Sequence, residues 1–97
     1  MLYMCAYTWH PGTTLDAVIR FTAAEPESPG VTVRGYYGLV GGGAGYFLLE
    51  ADDPQAINDY LIPSMGLIAW DVRQVIERDF AQELAEAKQH ASQAPAT

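Results

Sequence analysis

The residues best suited to acid–base chemistry in this chain are Glu50, His10 and Asp71. Glu50 ends an apolar run and is the only charged residue within positions 40–51. A carboxylate at the end of a strand can act as a general base, or accept a hydrogen bond from a ligand at a pocket rim. It can equally pair with Arg34 or accept backbone N–H groups at the next helix start. Both interpretations of Glu50 are open at this point.

His10 lies in a turn at positions 9–12, directly after the first predicted strand. An imidazole there could be a general base, a haem ligand or an exposed loop residue without a role. A metal site would need further ligands at suitable spacing, which the single cysteine, the carboxylates and the distant second histidine do not provide. The sequence therefore predicts neither a metal nor a cofactor, and haem binding through His10 is the weakest alternative.

Four polar residues lie on the two strands that we expect at the sheet edges: Arg34 and Tyr36 on one, Asp71 and Arg73 on the other. Strict alternation places Arg34 and Tyr36 on one face of their strand, and a single β-bulge would reverse that assignment. Two guanidinium groups beside a phenol and a carboxylate could bind an anionic or carbonyl-bearing ligand. The same four residues could instead form salt bridges across a subunit interface.

Aromatic residues are the third feature of the sequence that could serve a binding site. An aromatic cavity suits a flat apolar ligand, although core and interface packing explains most aromatic side chains. Tyr7, Trp9 and Tyr36 are predicted to contact a ligand, together with Arg34 and Arg73. The aromatic residues considered are Tyr3, Tyr7, Trp9, Tyr36, Tyr37, Tyr46 and Trp70.

Composition narrows the class of protein. The chain has 97 residues, enough for one small domain, and 49% of them are hydrophobic. Its net charge is −7, with five basic residues that do not cluster, which argues against binding to nucleic acid or an anionic membrane. Cys5 is the only cysteine, so it has no disulfide partner within the chain and is predicted to be an unreactive buried thiol. With no predicted signal peptide or membrane span, we expect a soluble cytoplasmic protein.

Hydrophobic periodicity and turn residues predict the order strand, helix, strand, strand, helix, strand, helix. The predicted strands are 2–8, 31–40, 46–50 and 67–76, and the predicted helices are 13–22, 54–61 and 79–90. Asp53 is expected to cap the second helix, with Pro54 in its first position. The glycine cluster at 41–45 predicts a hairpin, and residues 25–30 a loop. Leu15, Val18, Ile19 and Thr22 are expected on the inner face of the first helix.

These elements predict an α+β, ferredoxin-like βαββαβ fold with a four-stranded antiparallel sheet. The first and third strands are apolar on both faces and should be central. Two helices cover only one face of such a sheet, so we predict a homodimer in which two sheets pack face to face as an α/β barrel. The predicted domain spans 1–78, followed by a C-terminal helix at 79–90 and a disordered tail at 91–97.

Several segments in order carry a family resemblance: Gly30–Gly35, the glycine hairpin, Leu49–Pro54 and Asp71–Val75. Over roughly 1–77 the chain resembles the domain-of-unknown-function 3303 family, which looks like a branch of the dimeric α/β-barrel, ferredoxin-like superfamily. The resemblance implies the fold and the dimer but no established activity. The wider superfamily includes haem-degrading and cofactor-free monooxygenases, dehydratases, isomerases and ligand sensors, so fold alone does not define function.

We therefore expect a homodimer that binds a small aromatic or carbonyl-bearing molecule. If it is an enzyme, cofactor-free isomerisation, dehydration or oxygenation is expected, with Glu50, His10 and Asp71 as catalytic groups. The alternative is a non-catalytic dimerisation or accessory module, whose polar residues serve only an interface.

Overall fold

The computed structural model describes residues 1–23 and 30–93. The predicted order of elements is confirmed, and the fold is α+β and ferredoxin-like. The elements are β1 (Leu2–Trp9), α1 (Leu15–Ala23), β2 (Thr32–Gly38), β3 (Ala44–Glu50), α2 (Pro54–Leu61), β4 (Ile68–Val75) and α3 (Phe80–Gln93). A short 3₁₀ turn, Ile62–Ser64, follows α2. Residues 25–29 of the predicted loop and 94–97 of the predicted tail lie outside the described residues.

The four strands form one antiparallel sheet in the order β2-β3-β1-β4. This confirms β1 and β3 as the central strands. The face that carries Tyr3, Cys5 and Tyr7 is called the helix face, because α2 packs its Ile57 and Leu61 into the same core. The opposite face, which carries Leu2, Met4 and Ala6 of β1, is called the open face.

Local sequence signals set the turns and the helix starts. Gly41, Gly42 and Gly43 all have φ between 83° and 100°, a conformation that side chains strongly disfavour, so the predicted hairpin depends on glycine. The Asp53 carboxylate accepts the backbone N–H of Gln55 at 2.9 Å, and α2 has the predicted bounds. These caps explain why α2 could be placed from sequence alone.

The core lies between the helix face and α2. Leu49, Leu61 and Cys5 are its most completely buried side chains. Burial raises the pKa of the Cys5 thiol to about 11, as expected for a structural cysteine whose thiolate is disfavoured.

Helix α1 packs with a different face from the one predicted. Leu15 and Ile19 are 74% and 58% exposed, whereas Val18 and Phe21 are half-buried. The Phe21 ring meets the Trp9 ring edge-on, with the centroids 6.4 Å apart. Phe21 is the largest apolar side chain of the helix, and burying it rotates Leu15 and Ile19 toward solvent.

A β-bulge in β2 corrects the predicted faces of that strand. Val33 pairs with Leu49, but Gly35 rather than Arg34 pairs with Leu48, so Arg34 is the extra residue. The alternation therefore reverses after Arg34. Tyr36 lies on the helix face, and the prediction that it shares a face with Arg34 is wrong.

The C-terminal helix α3 extends to Gln93, three residues beyond its predicted end, and buries none of its side chains. Asp79 caps it by accepting the backbone N–H of Gln82 at 3.1 Å. Phe80 and Leu84, its two large apolar side chains, are 77% and 41% exposed. None of the described helices is long and apolar enough to cross a membrane.

Replacing Gly45 by alanine should destabilise the protein by about 1–3 kcal/mol. The new methyl group would collide with the carbonyl oxygen of Tyr37 and lie 2.7 Å from the Tyr7 ring. Urea unfolding measures the effect, and Gly66→Ala is the matched control because nothing lies within 4 Å of its added carbon. Equal unfolding free energies for the two variants would contradict the close packing at Gly45.

Candidate ligand-binding cavity

A cavity of about 240 Å³ lies between the helix face of the sheet, α1 and the end of α2. Seven of the chain's eleven aromatic residues line it. The described lining residues are Tyr7, Trp9, Phe21, Thr22, Tyr36, Phe47, Tyr60, Pro63, Ser64, Ile68 and Trp70.

All four strands contribute aromatic rings to the cavity floor. Tyr7 of β1 is opposite Trp70 of β4, and Tyr36 of β2 is opposite Phe47 of β3. The Phe47 ring stacks on Tyr36 at 4.5 Å and lies 5.5 Å from Tyr7 and 5.9 Å from Trp70, between centroids. The floor is therefore a continuous aromatic surface that requires both the sheet order and the bulge.

Ser64 fixes one side of this floor. Its hydroxyl donates to the carbonyl oxygen of Leu61 at 2.7 Å and accepts from Nε1 of Trp70 at 2.6 Å. Ser64 is 3% exposed, so both bonds form away from bulk water. The 3₁₀ turn thereby holds the Trp70 indole against the sheet.

The Tyr7 phenol reaches across the sheet because its neighbours lack side chains. Tyr7 pairs with Gly45, which in turn pairs with Gly38 of β2. A side-chain carbon on Gly45 would lie 2.5 Å from the Tyr7 hydroxyl oxygen. Burial, and the neighbouring Tyr36 phenol, raise the pKa of Tyr7 to about 12. Tyr7 therefore remains a neutral phenol across the physiological range.

The predicted charged residues lie on the open face. Nε of Arg34 donates to the Glu50 carboxylate at 2.6 Å, and this bond lowers the pKa of Glu50. Nε of Arg73 lies 3.4 Å from Oδ1 of Asp71. The strand register places Arg73 beside Met4 and Asp71 beside Ala6. Pairing with Arg34 makes Glu50 a weaker base than a free carboxylate.

His10 is exposed, with its Nε2 3.2 Å from the carbonyl oxygen of Met65. Because a carbonyl only accepts hydrogen bonds, this contact requires a proton on Nε2. His10 is not among the described residues that line the cavity. Within residues 1–23 and 30–93, no three histidine, cysteine or carboxylate side chains are grouped to hold a metal ion.

Apart from His10, the structure separates the predicted site residues into two groups. Tyr7, Trp9 and Tyr36 come together in the cavity, whereas Arg34, Glu50, Asp71 and Arg73 share the open face. Sequence reasoning missed Phe21, Phe47, Tyr60 and Ser64 as cavity residues. Phe47 could have been found, because it lies two residues before Leu49 and therefore faces the same side of the strand.

Comparison with protein families gave a match over residues 1–89 to the model described as "Domain of unknown function (DUF3303)". Comparisons with curated proteins and with solved structures gave no match.

The free energy of unfolding should fall by about 2 kcal/mol between pH 10 and pH 12 through Tyr7 alone. The Tyr7 phenol ionises near pH 10 when unfolded but holds its proton to about pH 12 when folded, so this contribution is lost as pH rises. Urea unfolding at several alkaline pH values, compared with Tyr7→Phe, isolates it from other titrating groups. Parallel pH profiles for the two proteins would refute the raised pKa.

Proposed function

Since the chain belongs to the DUF3303 family, whose description assigns no function, we propose from its cavity that the protein binds a small, flat and largely apolar molecule. The observation that carries this proposal is the gathering of seven of eleven aromatic residues around one cavity. Small-molecule sites are concave and mostly apolar, with a few polar groups that orient the ligand. The Tyr7 and Tyr36 phenols are such groups.

The size of the cavity supports a ligand of one or two rings. Its volume of about 240 Å³ is slightly below the range of roughly 300–1,000 Å³ that accommodates drug-sized molecules. Tyr36 lines the cavity and is 64% exposed, so the cavity opens to solvent beside it. A haem would be too large, and His10 does not line the cavity, so these observations do not favour the haem alternative.

Binding is better supported than acid–base catalysis in this cavity. No aspartate, glutamate, histidine, lysine or arginine is among the described lining residues. The carboxylates of Glu50 and Asp71 lie on the opposite face of the sheet, where each pairs with an arginine. Catalytic roles for Glu50, His10 and Asp71 remain predictions, because none of these residues is among the described residues that line the cavity.

A second proposal is a homodimer through the open face, and the charge pairing on that face favours it. Leu2, Met4 and Leu48 form an apolar strip that α1 and α2 cannot cover from the other side of the sheet. The Arg34–Glu50 and Arg73–Asp71 pairs each cancel their charge. Two copies of this face can therefore meet without the repulsion that a net charge of −7 would otherwise cause.

Indole should bind to the protein and shift the indole N–H signals of Trp9 and Trp70 in ¹H–¹⁵N NMR spectra. These are the only two tryptophans and both line the cavity, so their signals report occupancy directly. Thr22→Phe should abolish the shifts by filling the cavity. The matched control is Thr8→Phe, on the open face, and equal shifts in both variants would place binding elsewhere.

Light scattering after size exclusion should give twice the chain mass of 10.6 kDa at micromolar concentration. Leu48→Asp should shift the protein to monomer, because it introduces a carboxylate into the apolar strip. The matched control is Leu15→Asp, on the exposed side of α1, which should leave the mass unchanged. A monomeric parent protein would overturn the dimer while leaving ligand binding unaffected.

A further inference from the structure

We propose that α3 pairs antiparallel with α3 of a second copy of this chain and forms part of the homodimer interface. This inference rests on the proposed homodimer and is independent of ligand binding. It identifies the partner of a helix that the rest of the described chain leaves exposed.

Helix α3 receives little packing from the described part of its own chain. All of its residues are exposed except Glu83, which is half-buried. The radius of gyration is 18.7 Å, against about 13 Å for a compact chain of this length, so α3 projects from the sheet. Isolated helices shorter than about 12–15 residues are marginal in water. A helix of 14 residues therefore needs packing that the described chain does not supply.

The apolar residues of α3 share one face of the helix. Phe80, Leu84, Ala87 and Ala91 follow a spacing of four, three and four residues, which is the repeat of helices that pack against one another in pairs. The first three of these residues line a groove along the helix surface. These four residues are called the α3 stripe.

An antiparallel second copy complements the α3 stripe in size. When two helices align about the midpoint of the stripe, Phe80 is level with the partner's Ala91, and Leu84 is level with the partner's Ala87. Each large side chain then faces a small one, which lets the helices approach closely without voids. A parallel pair would instead place Phe80 against Phe80 and alanine against alanine.

Charge favours a second copy as the partner. Glu83 and Lys88 flank the α3 stripe on opposite sides, and His90 lies on the side of Glu83. An antiparallel copy brings the partner's His90 close to Glu83, and an imidazole N–H can donate to that carboxylate. Two copies of α3 can therefore meet along the stripe despite the net charge of −7.

The α3 stripe also follows directly from the open face. Val75 ends β4 and pairs with Leu2 on that face, and Ile76, the next residue before α3, is 78% exposed. Four strands about 4.8 Å apart and about 25 Å long give the open face roughly 500 Å². Stable interfaces bury about 800 Å² per partner. A stable dimer therefore needs additional surface, which α3 can supply.

Leu84→Asp should raise the dissociation constant of the dimer at least about tenfold, because it places a carboxylate in the α3 stripe. Light scattering over a dilution series of the full chain measures this constant. The matched control is Ala85→Asp, which adds the same charge on the outer side of α3 and should leave the constant unchanged. Equal effects of the two substitutions would overturn the role of α3 and leave the open-face dimer standing. A monomeric parent protein would overturn both.

Disulfide formation tests the register of the helix pair. Cys5 is buried and is the only native cysteine, so introduced thiols report on α3 alone. An equimolar mixture of the Leu84→Cys and Ala87→Cys variants should form cross-linked heterodimers under mild oxidation. The matched control mixes Gln82→Cys with Gln89→Cys, which are level in the same register but lie on the outer sides of the helices. This mixture should cross-link at least about tenfold more slowly.

Two results of the cross-linking experiment would overturn the antiparallel pair. One is an equal rate of cross-linking in the two mixtures, which would mean that the α3 stripes do not face each other. The other is faster cross-linking of Leu84→Cys with itself than with Ala87→Cys, which would indicate parallel helices.

Discussion

The register of β1 against its two neighbours is the constraint on which the molecule depends. With Tyr7 opposite both Gly45 and Trp70, every second residue of three strands faces α2. The same register sends Glu50, Asp71 and Arg73 to the opposite face. A slip of one residue would exchange the two faces, burying charges and exposing the core, so the apolar residues Leu49 and Cys5 hold the register in place.

The bulge at Arg34 shows how one residue decides the composition of a site. Without it, Tyr36 would face the same side as Arg34, and the cavity floor would lose the ring that stacks on Phe47. With it, the edge strand delivers an aromatic residue to the cavity and leaves the guanidinium beside Glu50. An irregularity in one edge strand thus separates the aromatic cavity on one face of the sheet from the charged residues on the other.

Features with local causes were predictable from sequence, and features set by packing were not. The bounds of α2 follow from Asp53 and Pro54, whose capping chemistry requires no tertiary information. The sheet order follows from strands that are apolar on both faces. The rotation of α1 depends on the contact between Phe21 and Trp9, two residues from different elements. The hydrophobic periodicity within one helix cannot predict such a contact. The cavity in turn depends on that rotation. The position of the bulge could not be predicted, because no residue type in β2 marks it and the alternation of the strand reads as unbroken in the sequence.

The hydroxyl of Ser64 has a thermodynamic consequence for anything that enters the cavity. By accepting a hydrogen bond from Nε1 of Trp70, it restricts the rotation of that indole before a ligand arrives. The neighbouring floor rings Tyr7 and Phe47 are confined between strands that pair on both sides. A ligand that entered the cavity would contact side chains that have already lost conformational entropy during folding. More of the energy of its contacts would then remain as affinity.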